Sequence, residues 1–398
     1  MRRDRDSPLR FAAPSISEDE VAAVVDALRS GWLTTGPRTA GFERRFAEAV
    51  GAPAALACSS GTAALHLALI AAGVGKGDVV LTTPLTFCST AHVIEHQGAR
   101  PVLVDVDPDT LNISPLALAE TVRELDQAPR AIVPVHLAGF PAAMPAIVSI
   151  AEECGAAVIE DAAHAQGASI DGRPVGDTSA GPAVPRAAAF SFYVTKNITT
   201  GEGGMLTGDP DLVDEARRWS LHGMSRDAWN RYGAGGSWRY SVTRPGFKYN
   251  MTDVQSSLGL VQLGRSAEFL TRRRAIAQLY DEAFDKVDEV RPVSRPTETG
   301  HAWHLYMIRM DPAFSPVSRD DVIAALTAQG IGTSVHFIPI HRLEYYRERY
   351  GYAPEDFPVA NSAFEQLLSL PIYPSMTDDD VLDVVDAILV VVTGHGRA

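Results

Sequence analysis

The residue best placed for covalent chemistry is Lys196. It stands in Ala189-Phe190-Ser191-Phe192-Tyr193-Val194-Thr195-Lys196-Asn197, with Gly201-Glu202-Gly203-Gly204 close behind. An amine a few residues past an apolar strand, ahead of a glycine-rich turn, suits a Schiff-base lysine. Gly203 and Gly204 permit positive φ and close backbone approach. A lysine without such company is a solvated surface residue.

Three other stretches supply company. In Val158-Ile159-Glu160-Asp161-Ala162-Ala163-His164 an apolar run delivers a carboxylate at its end, where ligands bind in open α/β sheets. Such a carboxylate can keep a pyridinium nitrogen protonated and deepen its electron sink, although an Asp also ends strands merely to begin a turn. His164 alone reads as a structural histidine. Ser59-Ser60-Gly61-Thr62-Ala63-Ala64-Leu65 joins a strand to an Ala/Leu-rich helix; small residues there leave N–H groups open to a phosphate, or form an ordinary Ser/Thr cap. In Thr86-Phe87-Cys88-Ser89-Thr90 the aromatic either stacks on a planar ring or is plain core. Phosphate loop, aromatic, strand-end Asp and Lys occur in the order that a pyridoxal-phosphate site needs.

These residues require a sheet to present them. β-rich runs are expected at Ala54–Ala57, Val79–Thr82, Val102–Asp105, Ala131–Val135, Ala157–Glu160, Ala187–Phe192 and Met205–Thr207, most of them separated by helical stretches. That alternation predicts a mainly parallel sheet with helices on both faces. Ahead of it, Ser17-Glu18-Asp19-Glu20 reads as a capping box, Ile16 and Val21 as a staple, and Gly31 as the helix stop. Beyond residue 262 a basic helical stretch (Arg265, Arg272, Arg273, Arg274) leads through a polar connection at Arg291–Thr299 into a smaller α/β region.

With 398 residues the chain can bury a large core, and its net charge of −14 speaks against a nucleic-acid partner. No apolar run reaches membrane length. The charged start Met1–Asp6 leads into no apolar stretch, and Cys58, Cys88 and Cys154 fit neither a disulfide nor a metal pattern. A cytoplasmic protein without a metal site is expected.

At these residues the sequence resembles the DegT/StrS-type nucleotide-sugar aminotransferases, a branch of the fold-type I pyridoxal-phosphate enzymes. The matches run from Ser30-Gly31-Trp32-Leu33-Thr34-Thr35-Gly36-Pro37 through Ser60-Gly61-Thr62, Val104-Asp105-Val106-Asp107, Pro134-Val135-His136 and Glu160-Asp161-Ala162-Ala163 to Lys196. They continue in Gly201–Gly204, Gly246-Phe247-Lys248-Tyr249-Asn250-Met251-Thr252-Asp253, Val335-His336-Phe337 and Ser369-Leu370-Pro371. The resemblance implies an α/β fold-type I transferase: an N-terminal helical segment at 1–30, a large cofactor-binding domain at 31–262 with a mainly parallel sheet, and a small C-terminal α/β domain at 263–398.

It also implies roles. Lys196 would bind pyridoxal 5'-phosphate and shuttle a proton, Asp161 would pair with the pyridine nitrogen, and Phe87 would stack on the ring. Gly61, Thr62 and Ser191 would hold the phosphate; His164, where many relatives carry Gln, would lie beside the phenolic oxygen. The family works as a homodimer with shared sites, an Asn of the second subunit reaching the phosphate; here Lys248-Tyr249-Asn250 occupies that motif, and both Lys248 and Asn250 are candidates. Thr35, Tyr193 and His336 are candidates for the sugar. The expected reaction is transamination of a nucleotide-linked 4-keto, 6-deoxy sugar with L-glutamate. A 3-keto nucleotide sugar and a keto-cyclitol are the alternative acceptors. A related sugar dehydratase carries histidine where Lys196 stands.

Overall fold

The computed structural model describes residues 8–179, 183–224, 240–295 and 299–394. The charged start Met1–Asp6 and residues 296–298 of the expected connection lie outside them. Strands β1 (Ala54–Cys58), β2 (Val79–Thr82), β3 (Arg100–Leu103), β4 (Ala131–Val133) and β5 (Ala157–Asp161) are followed by a hairpin of β6 (Ser169–Ile170) and β7 (Arg173–Pro174). Then come β8 (Arg186–Ser191) and β9 (Gly204–Gly208). All but the hairpin join one seven-stranded sheet in the order β1-β9-β8-β5-β4-β2-β3.

The sheet is parallel except for β9, which runs against both β8 and β1. Lys196 explains the exception. The chain leaves β8, makes the lysine and glycine turns, and returns at once, without the helical crossover that a parallel neighbour requires. The expected strand at Val102–Asp105 proves offset, since its ladder stops at Leu103, while that at Ala131–Val135 narrows after Val133 to a single bridge between Val135 and Asp161.

Alternation along the strands separates two buried faces. Leu56, Val80, Val133, Ile159, Ala189 and Leu206 pack with the helix Gly61–Ala71 and its neighbours. Phe190, Met205, Ala57 and Ala188 meet Phe42 and Phe46 of the helix Pro37–Val50 on the other face, and Val79, Leu81, Ile132 and Val158 meet Ile147. Asp161 has the parity of Ile159, and Ser191 that of Ala189, so both belong to the Gly61 face.

A second core follows. β10 (Arg291–Pro292), β12 (Tyr306–Arg309) and β13 (Leu367–Leu370) form an antiparallel sheet, while β11 (Thr299–Gly300) pairs with β6. Helices Ser266–Phe284, Arg319–Ala328 and Asp378–Thr393 cover it around Tyr280, Tyr306, Leu326 and Ile388. Leu85, Leu103, Leu305, Met307 and Phe357 weld this unit to the large sheet. Leu9 is threaded into the second core, donating to the Gly330 carbonyl and accepting from the Gly332 N–H, each at 2.8 Å.

The helix Glu18–Ser30 has its capping box between Ser17 and Glu20 and stops at Gly31 with φ 75°. Ile16 and Val21, however, remain 48% and 46% exposed, so the expected staple buries little. Glu20 turns inward to accept from Gln262 (2.7 Å) and Arg265 (2.9 Å). Within the basic stretch Arg273 is buried rather than solvated. The helix Pro37–Val50 begins at a glycine that has no side chain to cap it. Asp253 caps it from a distance, accepting from the backbone N–H of Arg38 (3.1 Å) and Thr39 (2.9 Å).

Candidate active site

A cavity of about 580 Å³ opens at the C-terminal ends of β5 and β8. Gly61, Thr62, Phe87, Asp161, His164, Ser191, Tyr193, Lys196 and His336 all line it. Lys196 sits in the turn after β8, its N–H bonded to the Tyr193 carbonyl at 2.9 Å. Burial pulls its ammonium down to about 8, against the opposing pull of Asp161. An amine so depressed is far more often neutral near pH 7 than an exposed lysine, as a nucleophile must be.

Asp161 is buried at the end of β5 and accepts from Thr90 Oγ1 at 2.8 Å and from the Ala163 N–H at 3.1 Å. Burial raises its carboxyl even so. Thr90 is aligned by Thr86, four residues earlier and ahead of the helix Ser89–His96, whose hydroxyl lies 2.8 Å away. Glu160, one residue before, faces the other way. The Ala142 N–H donates to His136 Nδ1 at 3.0 Å, so His136 Nε2 carries the hydrogen that Glu160 accepts at 3.0 Å. Arg186 adds a contact at 2.8 Å. Burial would push the Glu160 carboxyl up, but His136 and Arg186 hold it low. Two adjacent carboxyl groups are thus shifted in opposite directions by the faces they occupy.

Opposite them lies a cup. Ser60 caps Ala63 at 3.0 Å, which leaves the N–H groups of Gly61 and Thr62 without helical partners. A Cβ on Gly61 would meet Ser191 Cβ at 2.8 Å, and one on Gly204 would strike the Ser60 carbonyl. Only glycine lets the two turns close around this point. His164 presents a buried Nδ1 with no protein partner, and burial beside Lys196 and His336 keeps its ring neutral. A phosphate cup, a buried carboxylate, an orphaned imidazole nitrogen and a depressed lysine fit a phosphorylated pyridine aldehyde.

The aromatic expected to stack is neither core nor covered: Phe87 is 57% exposed at the cavity edge, 6.0 Å from the Phe337 ring. Tyr193 is likewise half exposed. His336 bonds Ser369 through Nδ1 at 2.9 Å and stacks on Phe11 at 5.4 Å, yet also faces the cavity. Thr35, Lys248 and Asn250 do not line this cavity. They bind one another instead: Asn250 donates to Thr35 Oγ1 at 2.7 Å and accepts from Lys248. Among the lining residues outside the expectations are His304 and Phe11. His304 interrupts an otherwise apolar run, the one mark that could have drawn attention to it.

The sequence profile described as the DegT/DnrJ/EryC1/StrS aminotransferase family matches residues 14–389. The spore coat polysaccharide biosynthesis protein SpsC of Bacillus subtilis is 46% identical over 99% of this chain and 100% of its own. Among solved structures, the putative sugar aminotransferase Spr1654 from Streptococcus pneumoniae in its PMP-form superposes with a TM-score of 0.87 at 33% identity, over 96% of this chain and 98% of that one. Helicobacter pylori PseC, an aminotransferase involved in the biosynthesis of pseudoaminic acid, superposes with a TM-score of 0.87 at 26% identity, over 98% of this chain and 100% of that one.

Proposed function

This chain belongs to the DegT/DnrJ/EryC1/StrS aminotransferase family, a pyridoxal-phosphate-dependent sugar aminotransferase, and from that premise we propose that it carries the amine of L-glutamate to C4 of a nucleotide-linked 4-keto, 6-deoxy sugar. The observation that carries the reading is Lys196, depressed and facing the same cavity as Asp161, His164 and the Gly61 cup. The volume lies within the roughly 300–1,000 Å³ of small-molecule sites.

When bound, pyridoxal phosphate supplies an electrophilic carbon and a sink for the electrons released when a proton leaves the donor's α-carbon. In our reading Lys196 Nζ would hold that electrophilic carbon until the amine of glutamate displaces it; the freed Nζ would then take the α-proton of glutamate and later deliver a proton to the sugar carbon. Asp161 would accept the pyridine N–H and keep that nitrogen protonated. Gly61, Thr62 and Ser191 would hold the phosphate, His164 Nδ1 would be available to the phenolic oxygen, and Phe87 would cover the ring. The two half-reactions share one site in turn, releasing 2-oxoglutarate before the sugar enters.

The functional unit in this reading is a cytoplasmic homodimer, with Lys248 and Asn250 completing the neighbour's phosphate cup. Support comes from their position outside their own chain's cavity and from the exposure of the large apolar side chains Trp32, Leu33 and Phe87. Among the described residues no helix is long and apolar enough to cross a membrane. Tyr193 and His336 take the sugar, and Thr35, bonded to Asn250, would reach it only from the neighbouring subunit. The remote nucleotide provides binding energy that places the carbonyl over the cofactor, so the free keto sugar should be nearly inert.

The test compares dTDP- and UDP-linked 4-keto-6-deoxyhexoses with a UDP-4-keto-pentose, a 3-keto isomer and a keto-cyclitol, using L-glutamate and NMR to locate the amine. Preference for a 4-keto-6-deoxyhexose is expected. A clear preference for the 3-keto sugar or the cyclitol would overturn the C4 reading while leaving the aminotransferase.

A further inference from the structure

Beside Lys196 stands a carboxamide that holds three segments together. Asn197 Nδ2 donates to the Ala302 carbonyl at 2.7 Å and to the Gln166 carbonyl at 3.2 Å. Gln166 lies in the turn that follows Asp161 and carries His164. Ala302 lies in the segment 301–305 of the C-terminal half. Two carbonyl oxygens at one end of the carboxamide require the NH₂ there, so Oδ1 must point the other way. It lies 3.2 Å from His304 Nδ1, which therefore carries the hydrogen. Both residues are buried.

The frame around this pair is rigid. The Ala302 N–H is bonded to the Gly139 carbonyl at 2.9 Å and the Leu305 N–H to the Ala138 carbonyl at 3.1 Å. Arg273, buried, donates to the carbonyls of Trp303 (3.0 Å) and His304 (3.3 Å). The His304 ring also lies against that of His164, with centroids 4.3 Å apart. Were the carboxamide to turn over, its oxygen would face two carbonyl oxygens and its NH₂ the His304 N–H. Every contact would be repulsive, and the lysine turn would lose its tie to the turn that carries His164.

We propose that Asn197 and His304 are a pair of positioning residues: the carboxamide sets the lysine turn against Asp161 and His164, and the imidazole fixes which way that carboxamide faces. This rests on Lys196 as the lysine that holds the cofactor. Neither side chain needs to touch a reacting atom, yet displacement of a reacting group by about 1 Å is enough to slow chemistry by roughly a hundredfold.

The experiment uses the cofactor-loaded protein and the variants Asn197→Ala, His304→Phe and His304→Asn, with Asn197→Asp replacing the first if it fails to fold by circular dichroism. Borohydride reduction and peptide mapping come first; a label away from Lys196 would remove the functional reading and this inference with it. With the label on Lys196, cofactor retention should stay within about threefold, because the Gly61 cup is untouched. Single-turnover reaction with L-glutamate should slow at least about tenfold in Asn197→Ala and His304→Phe. The pH midpoint of the visible absorption of the lysine-bound cofactor should also move, by about one unit. His304→Asn, whose amide N–H reaches the place of Nδ1, should recover to within about threefold of wild type. The double variant should be no slower than the slower single one, since both act through one carboxamide. A folded Asn197→Ala or His304→Phe with wild-type rate and midpoint, or losses that simply add, would overturn the proposal.

Discussion

Asp161 and Glu160 are chemically near-identical neighbours that the strand sends to opposite faces, and only Asp161 reaches the cavity. Two hydrogen bonds, from Thr90 and Ala163, fix its carboxyl where Lys196 also acts on it, and in our reading it pairs there with the pyridine nitrogen. Asp161→Ala should therefore retain cofactor through the Gly61 cup but lose the proton transfer. Removing one partner of a buried charge pair costs on the order of 3–5 kcal/mol, so single-turnover rates should fall at least about a hundredfold; a near-normal rate would reduce Asp161 to a turn residue. Lys196, Asp161 and the Gly61 loop were legible from residue type and place, because strand ends and glycine turns announce themselves in sequence. His304 and Thr90 were not. Their roles depend on which segments meet in space, and nothing local to a histidine 107 positions away names Asn197 as its partner.

At the scale of elements, the N-terminal helix shows what local rules predict and where they stop. Its capping box and glycine stop follow from the sequence, but the same Glu20 that completes the box is also buried against Gln262 and Arg265. Burial alone would raise its carboxyl, yet bonds from Ser17, Gln262 and Arg265 bring it from 4.5 to about 2. A carboxyl with its folded value depressed stabilises the fold above its unfolded value and ceases to do so as pH falls through the folded one. Wild type should thus be more thermally stable than Glu20→Gln at pH 6.5, with the difference in Tm shrinking below about 4.5. A difference that stays constant down to pH 3.5 would mean the charge does not matter. The direction of β9 was equally hidden, since an apolar run carries no arrow; the short return from the lysine turn decided it. Asp253 was visible as a motif residue, but its work as the cap of a helix over two hundred positions earlier was not.

For the whole molecule, the alternation of strands and helices predicted the large sheet, and the change of texture after residue 262 announced a second core. What the sequence left open was the weld between them, where Leu85, Leu103, Leu305 and Phe357 meet. The cluster of Thr35, Lys248 and Asn250 poses the question at the next level of assembly. If it serves a neighbouring cavity, subunits with Lys248→Ala and Asn250→Ala should fold but hold cofactor weakly. Mixed with Lys196→Ala subunits, they should regain roughly a quarter of the wild-type sites by random pairing in a two-fold dimer. No recovery, with exchange confirmed by mass spectrometry, would place each site within a single chain.

The threading of Leu9 into the second core bears on how the protein is made. Phe11, beside it, lines the cavity together with His304, His336 and Ile372, whereas the cup and Asp161 come from the stretch between. Because synthesis runs from one end, Leu9 and Phe11 emerge early, and Leu9 must wait for its backbone partners Gly330 and Gly332, which emerge late. A nascent chain can therefore shape the floor of its site long before it can raise the walls, and a ribosome paused in the C-terminal half would display an open, half-built cavity.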